Sequence, residues 1–377
     1  MPRMSESESS DRVLIAGGGI AGLATAAALG RHGIPAVVLE RRDHALDAGL
    51  GINLPGNAVK ALGALGLGDG LERLGAPLGR REYRNRRGRM LFSVDEDVFW
   101  GVEARPRCVL RGELLSLLRT AVPEGTVRLG AEVRDMVETP DRVTVELGDG
   151  TQEDGALLVG ADGVHSTVRP LVASGQAPQA AVLSPSSWRF VTRNPGIDCW
   201  VVWSGGLDTV LFIPLGDERL YGWVAVANDA TSFDDVTAAF DDFPPQVREV
   251  LAAAAMERIP PFLSPLEEVR PTAWTRGRVV LVGDAAHATA PVWAQGAALA
   301  VEDALVLGEI LADTADWNET GREFERRRHT RVEHVQTMTD RLSRAARLPP
   351  WIRDPILRTI GTHSYRATYE PLRAAPT

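Results

Sequence analysis

The sequence predicts an α/β protein. A nucleotide-binding domain is assembled from three separated segments, an antiparallel β-sheet domain is inserted between them, and a helical segment closes the chain. Three observations predict this. A glycine-rich turn sits between an apolar strand and a helix at residues 12 to 42; two more apolar strands, far downstream, end in aspartate at 162 and 284; and between 180 and 228 the hydrophobic period becomes two. The nucleotide-binding segments are expected at 11–75, 100–175 and 270–345, and the sheet domain at 76–99 and 176–269. Residues 346–377 form the C-terminal helical segment, and 1–10, polar and rich in Ser and Glu, a disordered tail.

The first unit carries the clearest chemistry. Arg12 to Ala16 reads as a buried parallel strand, Leu23 to Arg31 as a helix, and Ala36 to Leu39 as a second strand ending in Glu40. Gly17, Gly19 and Gly22 lie between them in G-x-G-x-x-G spacing. The first permits the tight turn, the second lets a pyrophosphate approach the backbone, and the third lets helix and strand pack closely: a Rossmann-like arrangement. The helix start offers free N–H groups and a positive dipole end to phosphates. Glu40, eighteen residues past Gly22, can accept hydrogen bonds from a ribose. Arg41 and Arg42 favour a 2′-phosphate that Glu40 would repel, which leans away from NADP at this site. The turn sees only phosphates and ribose, so it does not itself choose between NAD and FAD.

Further along, a helix is expected near Asn57 to Leu65, a β-hairpin over 76–99, a helix at Gly112 to Thr120, and strands near Thr126 to Glu138 and Arg142 to Leu147. The apolar strand Ala156 to Val159 runs into Asp162-Gly163, with Ser166 and Arg169 beyond; read alone this is a turn in which Arg169 pairs with Asp162 or a phosphate. "WRFVTRN", "DCWVVWSGG" and "TVLFIPLGDERLYGWVAVA" alternate as antiparallel strands, and 234–256 reads as helical. A third buried strand then ends in Gly283-Asp284. Pro291 stiffens the following loop, and Ala297 and Ala298 open a helix whose free amides would face an anionic group. His287 reads as a structural partner behind the loop, and Glu302 and Asp303 as acids complementing the helix dipole. Residues 317–347 form a second long helix, and a short one follows Pro349 and Pro350.

Composition excludes several classes. With 377 residues, about two domains are expected, and a 44% hydrophobic content supports a globular core. The net charge of −9 argues against nucleic-acid binding. Nearly all 41 basic residues are arginine, a coding bias, and the densest run, "RREYRNRRGR", reads as a solvated hairpin. Two cysteines are too few for a metal cluster, so no metal is expected. No apolar run reaches the length of a membrane span and no targeting peptide is recognisable, so the expectation is a cytoplasmic monomer or homodimer with no membrane contact.

With "GGGIAG" and "LERR", "GADGVHSTVR" and "GDAAHATAP…AQGAALAVEDA" in hand, the chain resembles the group A flavoprotein monooxygenases, which include p-hydroxybenzoate and salicylate hydroxylases. "GINLPGNAVKALGALGL", "LRGELLSLL" and "PPWIRDPILR" support this, and the resemblance spans about residues 11 to 360. It implies a GR2-type FAD-binding domain and FAD in the glycine turn. It places Gly17, Gly19, Ile20, Ala21 and Gly22 at the pyrophosphate, Glu40 at the adenosine ribose with Arg41 also among the cofactor-binding residues, and Gly51 and Ile52 beside the flavin. Arg111 falls near the ribityl chain and phosphates, Val133 at the adenine, and Gly283 and Asp284 at the ribityl chain. Asp162 joins both FAD and the nicotinamide, Pro291 flanks the isoalloxazine, and the amides of Gly296, Ala297 and Ala298 face its O2 edge. The chain departs from the family by carrying Ala294 where glycine is usual and Ala298 where Asn or Gly is commoner.

The implied reaction uses O2 and NADH or NADPH, the latter bound transiently. It hydroxylates or epoxidises an aromatic or otherwise electron-rich small molecule through a C4a-hydroperoxyflavin. Arg189, Trp203, Phe212 and Tyr221 from the inserted sheet, with Trp293 from the loop, are the candidate substrate residues. No catalytic base stands out; neither Tyr221 nor His44 has a context that argues for one. A reductase or dehydrogenase that spares oxygen, and a non-catalytic flavin-binding protein, are the competing readings. A flavin-dependent halogenase does not fit, because "WVVW" departs from its W-x-W-x-I-P signature and Lys60 lies in a helical pattern.

Overall fold

The computed structural model describes residues 12–43, 50–172, 178–184, 186–216, 218–227, 230–314 and 316–376. The expected N-terminal tail and His44 lie outside the described residues.

Four apolar strands expected from sequence, joined by Val127–Leu129 and the short Thr275–Arg276, assemble one six-stranded sheet, while Val133–Glu138 departs to a separate three-stranded one. The order of the six is Thr275–Arg276, Val279–Leu281, Leu157–Gly160, Val13–Ala16, Ala36–Glu40 and Val127–Leu129, parallel throughout except for the first pair. Segments more than 260 residues apart in sequence thus share a sheet. Both aspartate turns and the glycine turn leave it from the carboxyl ends of neighbouring parallel strands, where open α/β sheets bind ligands. The helix Ile20–Arg31 is alanine-rich and packs against Gly296–Asp313 through small side chains. A Cβ on Gly308 would sit 3.2 Å from that of Ala28, and one on Gly283 would sit 2.9 Å from Ala21 and 3.3 Å from Ala300. This near-absence of side-chain bulk lets the start of one helix lie beside that of the other.

The inserted sheet has seven strands, in the order Phe262–Leu263, Ser187–Arg193, Arg219–Ala225, Thr209–Pro214, Trp200–Ser204, Arg80–Asn85 and Met90–Asp95. It is antiparallel except that Trp200–Ser204 pairs in parallel with Arg80–Asn85, because residues 80–95 join it from far upstream. One face carries Phe190, Val201, Trp203, Val210, Phe212 and Val224 against the helices Phe233–Ala239 and Pro245–Ala255. A Ser232–Asp235 capping box starts the first helix and Pro245 the second, splitting what the sequence reads as one helical stretch. The other face turns towards the nucleotide-binding sheet through Leu78, Cys108 and Leu110.

Two local expectations change. The arginine run at 80–89 is not simply a solvated hairpin: Arg81 is 1% exposed and ion-paired to Glu96 at 2.7 Å. The segment after Pro349 is a twenty-residue helix, Pro350–Tyr369, whose Tyr365 and Tyr369 are buried against Trp100 and Trp293.

Candidate active site

The glycine turn is built as its spacing demands. Gly17 adopts φ +105°, and a Cβ there would lie 2.5 Å from the Ala161 carbonyl oxygen; one on Gly22 would collide with the carbonyl of Gly17. Gly19 differs: a Cβ there would meet nothing within 4 Å, so its backbone borders open space. The helix beginning at Ile20 has no side-chain cap and no acid in its first turn, leaving its amides and Ala21 free for an anion. Glu40 closes the turn, its Oε2 accepting from the Gly18 amide at 2.6 Å and its Oε1 from that of Arg42 at 3.0 Å. Arg41 is exposed.

Asp162 comes off the neighbouring strand. Its Oδ2 accepts from the Thr167 amide and hydroxyl (2.7 and 3.0 Å) and the Val168 amide (3.1 Å), while its Oδ1 is buried without a partner. The single proton of the Thr167 hydroxyl is shared between Asp162 and the carbonyl oxygen of Val133 at 3.1 Å, which ties this turn to the strand expected at the adenine. Arg169 pairs with neither Asp162 nor open space. Its guanidinium donates to the carbonyls of Val164 and Ala285, tying this turn to the next one.

Asp284 follows Gly283, at φ +57°, and lies 3.6 Å from where a Gly296 Cβ would be. It is exposed, yet so closely surrounded that desolvation pushes its carboxyl above the usual range, against the opposing pull of His287, Arg111 and Arg189. Arg111 is half-buried, and its pKa is lowered by desolvation and by Arg42 and Arg189, with Asp284 and Glu40 opposing. Glu40, Arg42, Arg111, Arg189 and Asp284, drawn from three chain segments and the inserted sheet, are therefore electrostatic neighbours at one site. The helix Gly296–Asp313 opens on it without side-chain cap or first-turn acid; Gly296 and Ala297 are half-buried and Ala298 is buried. Pro291 is exposed, whereas Trp293 is buried.

The acids at 302 and 303 are not dipole complements. They are buried in the second helical turn and paired with cations from the helix Thr320–Ala346. Asp303 accepts from Arg328 Nε (2.7 Å), His287 Nε2 (2.7 Å) and the Gly283 amide (2.9 Å). Burial would raise its pKa, but His287 and Arg328, with the hydrogen bonds from His287 and Gly283, hold it down to about 2. Glu302 binds Arg328 and Arg331 and accepts from Asn57, whose amide also donates to Gln295 at the helix start. His287 stands behind the Asp284 turn, edge-on to Trp274. The acids thus secure both walls of the cleft through intermediaries, a role visible only once residues 57, 283 and 328 are adjacent.

The substrate residues divide by strand parity. Trp203 and Phe212, 3% and 0% exposed, lie on the helix-covered face and contribute core, not pocket. This corrects their assignment: on a pleated strand, neighbours in sequence point to opposite faces. Arg189 and Tyr221 lie on the other face. Across it run two rows in register: Phe262, Arg189, Trp223, Leu211, Val202 and Tyr83, then Val191, Tyr221, Ile213, Trp200 and Arg81. The second row is mostly buried, with Tyr221 so close to Gly51 that a Cβ there would reach its ring at 2.5 Å. The first row is exposed or half-buried, and Val202, Leu211 and Trp223 join the apolar cluster that holds Ala294; Ile52 is half-buried on the facing strand. Parity counted from Tyr221 would have found Trp223 in the sequence; Leu211, Val202, Phe262 and Tyr83 needed the sheet order and register.

These residues fit FAD: open space at Gly19, two uncapped helix starts, an unpartnered buried oxygen on Asp162, and a destabilised carboxylate at Asp284. A dinucleotide cradle roofed by a separate sheet is the architecture of flavin-dependent oxidoreductases. Residues 11–341 match the family model described as FAD binding domain, and the chain belongs to that family; it is an FAD-dependent monooxygenase. Among its relatives is the 2-heptyl-3-hydroxy-4(1H)-quinolone synthase of Pseudomonas aeruginosa, 31% identical over 96% of this chain and 97% of the relative. The FAD-dependent urate hydroxylase of Klebsiella pneumoniae is 33% identical over 85% and 86%. The crystal structure of Klebsiella pneumoniae HpxO with FAD and uric acid superposes with TM-score 0.78 at 29% identity, covering 96% of this chain and 92% of that one.

Proposed function

We propose that this monooxygenase inserts one oxygen atom from O2 into a flat, electron-rich aromatic molecule bearing an anionic or strongly hydrogen-bond-accepting group. NADH or NADPH serves as the transient reductant. The observation that carries the substrate class is Arg189. It sits in the half-buried row between Phe262 and Trp223, with its Nε buried and without a partner among the described residues. The apolar neighbours accept an aromatic face, and a guanidinium offers the paired donors that suit a carboxylate or enolate. The relatives' names, urate hydroxylase and 3-amino-4-hydroxybenzoate 2-monooxygenase, point to polar aromatic substrates of this kind.

Bound FAD supplies the activation of dioxygen that organic substrates lack. The chain's own residues do the rest. The amides of Gly19 to Gly22 hold the pyrophosphate, Glu40 the ribose, and Asp284, with Arg111 nearby, the ribityl chain. The amides of Gly296 to Ala298 stabilise negative charge on the pyrimidine edge of the ring, as an oxyanion hole does. The apolar row excludes water, whose entry would favour peroxide release over transfer to substrate. Tyr221 is no base: burial, partly offset by Arg189, pushes its phenol up to about 12, so it keeps its proton. The substrate therefore arrives already activated, or ionises under the field of Arg189.

The test is a screen of aromatic acids and their neutral amides for acceleration of NAD(P)H oxidation, with oxygen uptake, peroxide and product measured together. Arg189→Met should raise KM for the acids by about 10- to 100-fold, the value of a charge-assisted hydrogen bond, and leave the amides nearly unchanged. Equal effects on both series would refute the assignment. Nicotinamide oxidation without substrate-dependent oxygen uptake would refute the oxygenase chemistry.

A further inference from the structure

The loop between Pro291 and the helix at Gly296 contains the one non-glycine residue with positive φ among those described, Ala294, at φ 55° and ψ 33°. An L-residue with a Cβ is strained there, and glycine is not. Something must hold the loop in this shape. Its neighbour Trp293 offers a carbonyl that accepts from Tyr369 Oη at 2.8 Å, with a longer approach from Gln295 Nε2 at 3.5 Å. The Trp293 ring also packs edge-on to Tyr369 at 5.7 Å.

Tyr369 is unusually well set for this. Arg81 Nη1 donates to its oxygen at 3.3 Å, which orients the phenol proton towards Trp293. Arg81 is in turn fixed by Glu96, whose second oxygen accepts from Tyr365 Oη at 2.6 Å. Arg81, Tyr365 and Tyr369 are each no more than 1% exposed. Burial raises the Tyr369 phenol further, so it remains a donor at any working pH.

We propose that Tyr369, on the C-terminal helix, is a positioning residue that latches the strained Ala294 loop in the shape that receives the flavin. The cluster is anchored to two elements of the inserted sheet region, Arg81 and Glu96, so the latch also ties the flavin loop to the substrate-side domain. The inference rests on the FAD reading above.

The test uses the full-length chain reconstituted with FAD. The FAD dissociation constant is read from recovery of free-flavin fluorescence, alongside the shape of the bound flavin's visible band. Tyr369→Phe keeps the ring and removes the donor; it should weaken FAD binding about fivefold, the worth of one hydrogen bond, and alter the band. Ala294→Gly removes the strain and should bind at least as tightly as the parent. The decisive result is the double variant, in which glycine should restore affinity to within about twofold of the parent. A Phe variant that binds like the parent, or a deficit that persists undiminished in the double variant, overturns the latch. Should the Phe variant fail to fold, Ala294→Val carries the test: a β-branched residue at this φ should weaken binding more than tenfold, and parental affinity would overturn the proposal. A parent chain that takes up no FAD would remove the FAD reading and the latch together.

Discussion

Asp284 carries a tension between stability and binding. Its carboxyl is raised by desolvation, so ionising it costs the folded, flavin-free chain: that state binds the proton more tightly than the unfolded chain does. The apo-protein should therefore lose stability as pH rises past the ordinary carboxylate range, and Asp284→Asn should flatten that slope in melting curves taken from pH 4 to 8. Asp284→Ala should purify largely colourless, and full flavin occupancy in it would contradict the ribityl role. Gly22 shows the opposite case, a residue whose only task is absence. A Cβ there has no room beneath the Gly17 carbonyl. Gly22→Ala should lower the melting temperature of the apo-protein as well as its FAD affinity, whereas Gly19→Ala should weaken FAD binding with little thermal cost, since its Cβ would point into open space. Thermal shift with and without FAD separates the two.

At the scale of elements, the helix Gly296–Asp313 does two jobs with its first two turns. The first turn is kept free of acids and caps, and the second buries Glu302 and Asp303 against Arg328 of the neighbouring helix. A buried pair broken on one side leaves an uncompensated charge, so Arg328→Met should cost about 3–5 kcal/mol in denaturant unfolding. The sign of the pH dependence follows from Asp303. Its folded pKa of about 2 lies below its ordinary 3.8, so its contribution is present above that ordinary value and fades as pH falls towards 2. Asp303→Asn should accordingly be penalised more at pH 7 than at pH 2, with both values taken from unfolding curves. Since Asp303 also holds the Gly283 amide, that variant should weaken FAD binding as well.

At the scale of the whole molecule, the cleft exists because two sheets and a terminal helix meet. The parallel sheet presents three turns at adjacent strand ends, the mixed sheet packs Val202, Leu211 and Trp223 into one apolar cluster with Ala294, and Tyr369 of Pro350–Tyr369 donates to the Trp293 carbonyl beside it. No helix among the described residues is long and apolar enough to cross a membrane. The glycine turn, Glu40 and the two aspartate turns were legible in the sequence because each is local: backbone geometry and an emerging strand constrain residue type within a few positions. By itself the chain therefore determined the α/β class, the nucleotide cradle and the mixed period of its two sheets. What only the tertiary structure decided were relations between distant segments: which face of the inserted sheet meets the cleft, which excluded Trp203 and Phe212; which cations neutralise Glu302 and Asp303; and that Tyr369 reaches Trp293. Sequence patterns report a residue's own backbone and burial, but a side chain's partner is set by packing, where residues dozens to hundreds of positions apart come within hydrogen-bonding distance.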